Sequence, residues 1–251
     1  MERRVVPFLC VAALLAVAAP VVMTSGGDLA TTAYAGTAGS IEGSVRYAGA
    51  APPRAVLQMA ADPFCVTAHA GQTVLSEQLV VNDNKTLRWA FVHIRAAGSG
   101  ALPPGSGETL VIDQSSCMYR PRVAGMEAGA TIRVVNSDQT LHNVNAQPAN
   151  NQSFNMAQPI PGMATERVFD NPEIMIPMRC DVHPWMQAYV GVVPHAFFDV
   201  SGEDGSFRLE GIPPGDYVLE AWHETLGTQT MSVTVRDGAT ASADFTFGSD
   251  R

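Results

Sequence analysis

From residue 41 to the end of the chain, apolar and polar positions alternate over short runs separated by turn formers. That period of two is the signature of half-buried β-strands. Residues 41–47 begin the series and Ala51-Pro52-Pro53 stops it. Further strands are predicted at 78–82, 87–95, 109–114, 131–138, 141–147, 167–170, 173–180 and 187–194. The stretch 97–107 is a loop of Gly, Pro and Ser, and 148–162 reads as a polar connection too rich in Pro, Asn and Gln to be regular. No amphipathic helix longer than about two turns is predicted, and no fixed-period repeat occurs.

Past a boundary expected near residue 195 the pattern sharpens. Phe207 and Leu209 alternate with polar residues before Pro213-Pro214-Gly215 turns the chain. Tyr217, Leu219 and Ala221 share one strand face, and Val218, Glu220 and Trp222 the other. Met231, Val233 and Val235 follow the same rule, and Phe245 and Phe247 close the series. Asp204-Gly205, Leu226-Gly227 and Asp237-Gly238 supply turns. One apolar face per strand predicts an all-β protein built from sandwiches.

Composition narrows the function classes. Of 251 residues, Lys+Arg number 15 against 24 Asp+Glu, a net charge of −9, and Lys85 is the only lysine. A nucleic-acid binder needs a basic footprint, which this balance argues against. Charged residues make up 16 %, with 22 Gly and 17 Pro, which excludes a collagen, a long helical bundle and a multi-span membrane protein. Residues 1–35 read as a secretory signal: Glu2-Arg3-Arg4, an apolar run over 5–23, then Ala33-Tyr34-Ala35. Ala16-Val17-Ala18 is a second candidate cleavage site, and the 19-residue apolar run is also long enough for a retained anchor. Either way the remainder is expected in a periplasmic or secreted location. Loss of Cys10 with the signal leaves Cys65, Cys117 and Cys180. An odd thiol in an oxidising compartment is free, paired with another chain, or held by a metal.

The chemistry concentrates in Met178-Arg179-Cys180-Asp181-Val182-His183-Pro184-Trp185-Met186. A thiol, an imidazole and a thioether stand at C-x2-H-x2-M spacing, in a loop that Pro184 keeps from becoming a helix. His142 lies 38 residues upstream of Cys180, in the strand-like Leu141-His142-Asn143-Val144. One thiolate and two imidazoles in a trigonal array, with a weak axial thioether, make an electron-transfer copper site. Zinc accepts Cys and His, but Met is a poor zinc ligand. The bland alternative is a buried Cys, a surface His and a core Met that happen to lie close together.

Cys-Asp-Val-His-Pro-Trp-Met resembles the copper loop of amicyanin-type and plastocyanin-like cupredoxins, and Leu-His-Asn-Val resembles their first-histidine strand. The resemblance is strong over 131–194 and weaker back to residue 55. It implies a Greek-key β-sandwich over 36–194 that holds one copper on His142, Cys180, His183 and Met186. It also implies that Asn143 pins the Cys loop by hydrogen bonds, and that His183 reaches the surface through a patch containing Pro184 and Trp185 and passes the electron there. The chain ahead of His142 is longer than in a minimal cupredoxin, with an additional cysteine pair. Once Cys180 is assigned to the metal, Cys65 and Cys117 are left to form a disulfide.

The segment from Gly202-Glu203-Asp204-Gly205 to Pro213-Pro214-Gly215-Asp216-Tyr217 resembles the carboxypeptidase regulatory-like (transthyretin-like) β-sandwich, a smaller module expected over 195–251. Its 57 residues are short for a complete sandwich. Ile41-Glu42-Gly43-Ser44-Val45-Arg46-Tyr47 resembles the first strand of such modules, so residues 41–55 are a candidate to complete it.

No ligand spacing links His69, His93, His195 and His223. His93 is expected as a satisfied, partly buried histidine and His223 as a sandwich-surface residue. Met156, Met163, Met175 and Met178 are expected to fill core and loop, with Met178 placed to flank the metal. No nucleophile elbow, Walker motif or zinc-protease helix occurs, so the expectation is a redox protein rather than a catalyst. An electron carrier and a copper storage or delivery protein both fit, with a metal-free adhesion module a weaker third reading. The acidic balance favours a redox partner with a basic docking face, a dehydrogenase or a cytochrome. Nothing calls for a membrane unless the N-terminal segment is retained.

Overall fold

The computed structural model describes residues 36–98 and 102–248, and the leader expected over 1–35 lies outside them. The described chain is all-β apart from one short helix, Pro63–Ala68. No described helix is long and apolar enough to cross a membrane. Four sheets form two sandwiches.

The first sandwich faces a five-stranded sheet against a four-stranded one. The five strands run in the order Val123–Glu127, Gln187–Val193, Glu173–Arg179, His142–Ala146, Phe154–Gln158. The four run Met118–Arg120, Leu110–Ser115, Thr131–Asn136, Ala164–Val168. Alternation decides what goes inside. In Thr131–Asn136 the side chains of Ile132, Val134 and Asn136 are buried and their neighbours are partly exposed. Ile112, Ile132, Val134, Val144, Ile176, Met178, Val190 and Phe169 fill the space between the sheets.

The second sandwich draws on distant parts of the chain. Gly39–Tyr47 runs antiparallel to Ser206–Ile212 and parallel to Thr240–Ser242 and Phe245–Phe247. Among the described residues it pairs with no strand of the first sandwich. Opposite lies a sheet ordered Phe198–Val200, Phe91–Ala97, Gly215–His223, Gly227–Val235. Ile41, Val45, Val92, Ile94, Leu209, Leu219, Phe245 and Phe247 share one core. Phe91–Ala97, expected within 36–194 as part of the first sandwich, is therefore found between two strands of the second. Its Ile94 and Val92 face that core, and a short run cannot announce which of two cores will receive it.

Three further expectations change. The polar connection 148–162 contains the strand Phe154–Gln158, which pairs along its length with His142–Ala146. It edges its sheet, so Asn155 and Met156 face solvent and the polar composition costs nothing. Residues 78–82 form no strand; only Val81 bridges to Leu87. His223, expected on the surface, is buried at the end of Gly215–His223, on the same face as Tyr217, Leu219 and Ala221.

Candidate metal centre

His142 opens the strand His142–Ala146, and Cys180 directly follows Glu173–Arg179, its antiparallel neighbour. The sheet thus brings together residues far apart in sequence. The loop from Cys180 closes on itself: Met186 N–H donates to His183 O at 2.9 Å and Cys180 N–H to Met186 O at 3.2 Å. Asn143 grips the same loop. Its Oδ1 accepts from Asp181 N–H at 2.6 Å, and its Nδ2 donates to Asp181 Oδ2 at 2.9 Å. The Tyr119 hydroxyl, buried beneath, donates to Asn143 O at 2.8 Å and lies 3.2 Å from Arg179 O, joining the His142 strand to the Cys180 strand.

Three donor atoms converge. His142 Nδ1 and His183 Nδ1 are 3.0 Å apart, and Cys180 Sγ lies 4.0 Å from the first and 3.8 Å from the second. A point equidistant from the corners of such a triangle lies about 2.1 Å from each, the length of a first-row metal–imidazole bond. All three side chains are buried, as is Met186. The triangle thus has the size and the donors for one metal ion. Among the described residues Cys180 is the only free cysteine.

The charges are arranged in advance. Burial raises the Cys180 pKa, but the two histidines and the backbone N–H groups of Asn143 and His183 outweigh it and bring the thiol down to about 6. Burial lowers the His142 pKa, but Asp138 and the Cys180 sulfur outweigh it and hold the imidazole up at about 9. Without a metal, the pocket therefore carries a thiolate beside a protonated imidazole at neutral pH. Both ions satisfy each other, and a cation can take the proton's place.

The far side of each ring is also held. His142 Nε2 lies 2.9 Å from Asp138 Oδ2, and His183 Nε2 lies 3.0 Å from Asp62 Oδ2. Asp138 further accepts from the N–H groups of Ser116 and Cys117, both at 2.7 Å. Those two residues form a hairpin turn with φ of 52° and 55°, a left-handed conformation that favours glycine. Asp62 caps the helix Pro63–Ala68 through Phe64 N–H at 2.8 Å and accepts from the Thr140 hydroxyl at 2.8 Å. Burial raises the Asp62 pKa, but the hydrogen bonds from Thr140 and His183 outweigh it and hold the carboxyl below its ordinary value.

The expected disulfide is present, Cys65 to Cys117. It ties the short helix to the hairpin turn, and Cys65 Sγ lies 3.6 Å from His183 Nε2. Cys65, Cys117 and His183 converge, as do Cys117, Asp138 and His142, but both sulfurs are spent on each other.

One expectation is corrected here. His183 does not reach the surface: it is 2 % exposed, its outer edge covered by Asp62 and Cys65. Pro184 is exposed, whereas Trp185 is half-buried, its ring 5.1 Å from that of His183 and its Nε1 donating to Cys117 O at 3.0 Å. The extra chain ahead of His142 supplies the cover. Asp62 and Asp138 escaped the sequence reading. Asp138 had a signal in its four-residue spacing to His142, but Asp62 had none, since its partner lies 121 residues away.

Of the remaining histidines, His93 is buried with Nε2 3.4 Å from Glu220 but Nδ1 without a partner. His195 Nε2 donates to Ile94 O at 2.8 Å while Nδ1 accepts from Phe197 N–H at 3.2 Å, so neither nitrogen is left for a metal. Met175 and Met178 are core residues, while Met156 is exposed.

Fold and centre together define an all-β protein with a buried thiolate–bis-imidazole site. No protein-family model matches the chain, and no curated protein matches it. Several solved structures resemble it in part. A purple cupredoxin from Nitrosopumilus maritimus matches at 23 % identity and a TM-score of 0.29, over 33 % of this chain and 98 % of that one. A mutant of amicyanin in the Cu(I) form matches at 19 % and 0.30, over 40 % and 97 %. A Cu-containing nitrite reductase from Thermus scotoductus matches at 20 % and 0.31, over 39 % of this chain but only 25 % of the enzyme.

Proposed function

We propose that this chain is an extracytoplasmic mononuclear type 1 copper protein that carries electrons between redox partners. The observation that carries the reading is the triangle of Cys180 Sγ, His142 Nδ1 and His183 Nδ1, sized for one ion and lined by the donors copper prefers. Met186, buried in the same loop, would supply the weaker thioether donor. Copper held there would supply a one-electron couple.

The chain's own residues set the conditions. Cys180 contributes a charged sulfur, the imidazoles serve either oxidation state, and the Asn143 and Tyr119 hydrogen bonds hold both strands in one geometry. A site that does not rearrange on changing charge suits electron transfer. With Met186 in the fourth position, no place would be left for water or substrate, which suits electron transfer rather than catalysis. The acidic balance of the chain favours a partner with a basic docking face, such as a dehydrogenase or cytochrome, and the leader pattern favours the periplasm or exterior.

A second reading, copper storage or delivery, draws on the cover over His183, which removes the exposed imidazole edge expected of a carrier. One titration separates the readings. Copper(II) added to metal-free protein should bind once per chain with an intense visible thiolate-to-copper band, lost in Cys180→Ser, unmoved by azide and reversibly bleached by a one-electron reductant. A pale complex that azide perturbs, or one that cannot be reoxidised, would overturn the carrier reading.

A further inference from the structure

Resting on that reading, we propose that Asp62 and Asp138 are paired positioning residues, one behind each histidine, that aim both Nδ1 atoms at the metal and bias it toward its oxidised state.

The two contacts are alike although nothing in the sequence relates them. Each carboxylate offers Oδ2 to a ring Nε2, at 2.9 Å for Asp138 with His142 and 3.0 Å for Asp62 with His183. A carboxylate can only accept at that position, so each ring must carry its proton on Nε2, and Nδ1 is the nitrogen left to bind a metal. Without the carboxylate, a neutral imidazole can place its proton on either nitrogen, and the wrong choice blocks the donor.

Each carboxylate is itself fixed. Asp138 has both oxygens engaged, by the N–H groups of Ser116 and Cys117 as well as by His142. Asp62 has one oxygen on Phe64 N–H and the other on Thr140 and His183. Thr140 stands between the two systems, since Asn136 Nδ2 donates to its carbonyl at 3.0 Å and Asn136 Oδ1 accepts from Asp138 N–H at 2.9 Å. The Cys65–Cys117 disulfide joins the helix capped by Asp62 to the turn capped by Asp138. The two anions thus belong to one rigid frame around the rings.

The electrostatic consequence has a definite sign. A ring that donates to an anion is a stronger donor than one that donates to water, and both anions lie one imidazole away from the metal. Such charges stabilise the more positive oxidation state of a metal in a site closed to water. His142, His183 and Asp138 are buried, so solvent screens little of the Asp138 charge, whereas Asp62, 20 % exposed, is screened more and biases the metal less.

The test has two readouts, of which the first needs no copper. Nitrogen-15 NMR of the metal-free protein, recorded at a pH where each ring carries a single proton, should find that proton on Nε2 of both His142 and His183. An unprotonated Nε2 on either ring overturns the proposal, whether or not the protein binds copper. The second readout is the midpoint potential of the copper-loaded Asp62→Asn and Asp138→Asn variants. An amide has the shape of the carboxylate without its charge, so Asp138→Asn should favour the reduced metal at least tenfold more than the parent does, a rise of about 59 mV for a one-electron couple, and Asp62→Asn should shift it in the same direction by less. Unchanged potentials in both variants overturn the bias. If Asp138→Asn does not fold, because Asp138 also holds the hairpin turn, Asp62→Asn and the metal-free NMR decide the question. Failure to bind copper at all refutes the proposed function while leaving the ring protons to be read.

Discussion

At the scale of single residues, buried histidines divide by what faces them. His142 sits against Asp138 and is held protonated, with a pKa of about 9. His223 sits in the second core, where burial and the nearby Arg122 charge press its pKa down to about 4. Its Nδ1 accepts from Thr225 N–H at 3.3 Å, a bond that only a neutral ring can accept. His93 and His195 are lowered too, chiefly by burial. The sign follows from proton counting. Unfolded histidines bind protons below pH about 6.5, whereas these three resist binding them in the fold. Their contribution is complete above about pH 6.5 and is lost as pH falls toward about 4, on the order of 3 kcal/mol for His223 alone. Urea unfolding at stepped pH should show stability falling across that window, and His223→Gln should flatten the fall; equal slopes for parent and variant would count against this account.

At the scale of elements, the short helix Pro63–Ala68 matters more than its six residues indicate. Asp62 starts it, Cys65 anchors it to Cys117, and together they cover His183. Replacing both cysteines with serine releases a loop closed over a sequence separation of 52. That should lower stability by about 4 kcal/mol in the chain-entropy model. The same variant should exchange electrons with small soluble oxidants faster, because the outer edge of His183 loses its cover. Denaturant titration and stopped-flow oxidation check the two effects, and an unchanged rate would show that the cover is no barrier. Most strands were legible because Phe207, Leu209, Tyr217, Leu219 and their like alternate strictly. Phe154–Gln158 was not, since an edge strand with one buried end can be almost wholly polar. The Cys-His-Met loop was legible because its residues are local. The cover was not, because helix and loop meet only in three dimensions.

At the scale of the whole molecule, the two sandwiches meet through apolar and ionic contacts that complement each other. Phe91, from the second sandwich, packs with Val123, Met175 and Val193 of the first. Gly191 and Gly125 make room for it: a Cβ on Gly191 would stand 2.6 Å from the Phe91 ring, and one on Gly125 2.3 Å from Phe198. Beside them Arg122 Nη2 grips both oxygens of Glu224 at 2.8 and 2.7 Å, with both side chains buried. Removing one partner from such a pair strands a charge, so the contact ties the first sandwich to the second core. A frame built this way should not relax when the metal changes charge. X-ray absorption of the copper-loaded protein in both oxidation states tests that claim most directly. The account predicts two imidazole nitrogens and one short thiolate sulfur around a single copper, retained with little change on reduction. An added oxygen ligand in the oxidised protein, or loss of a histidine on reduction, would contradict it.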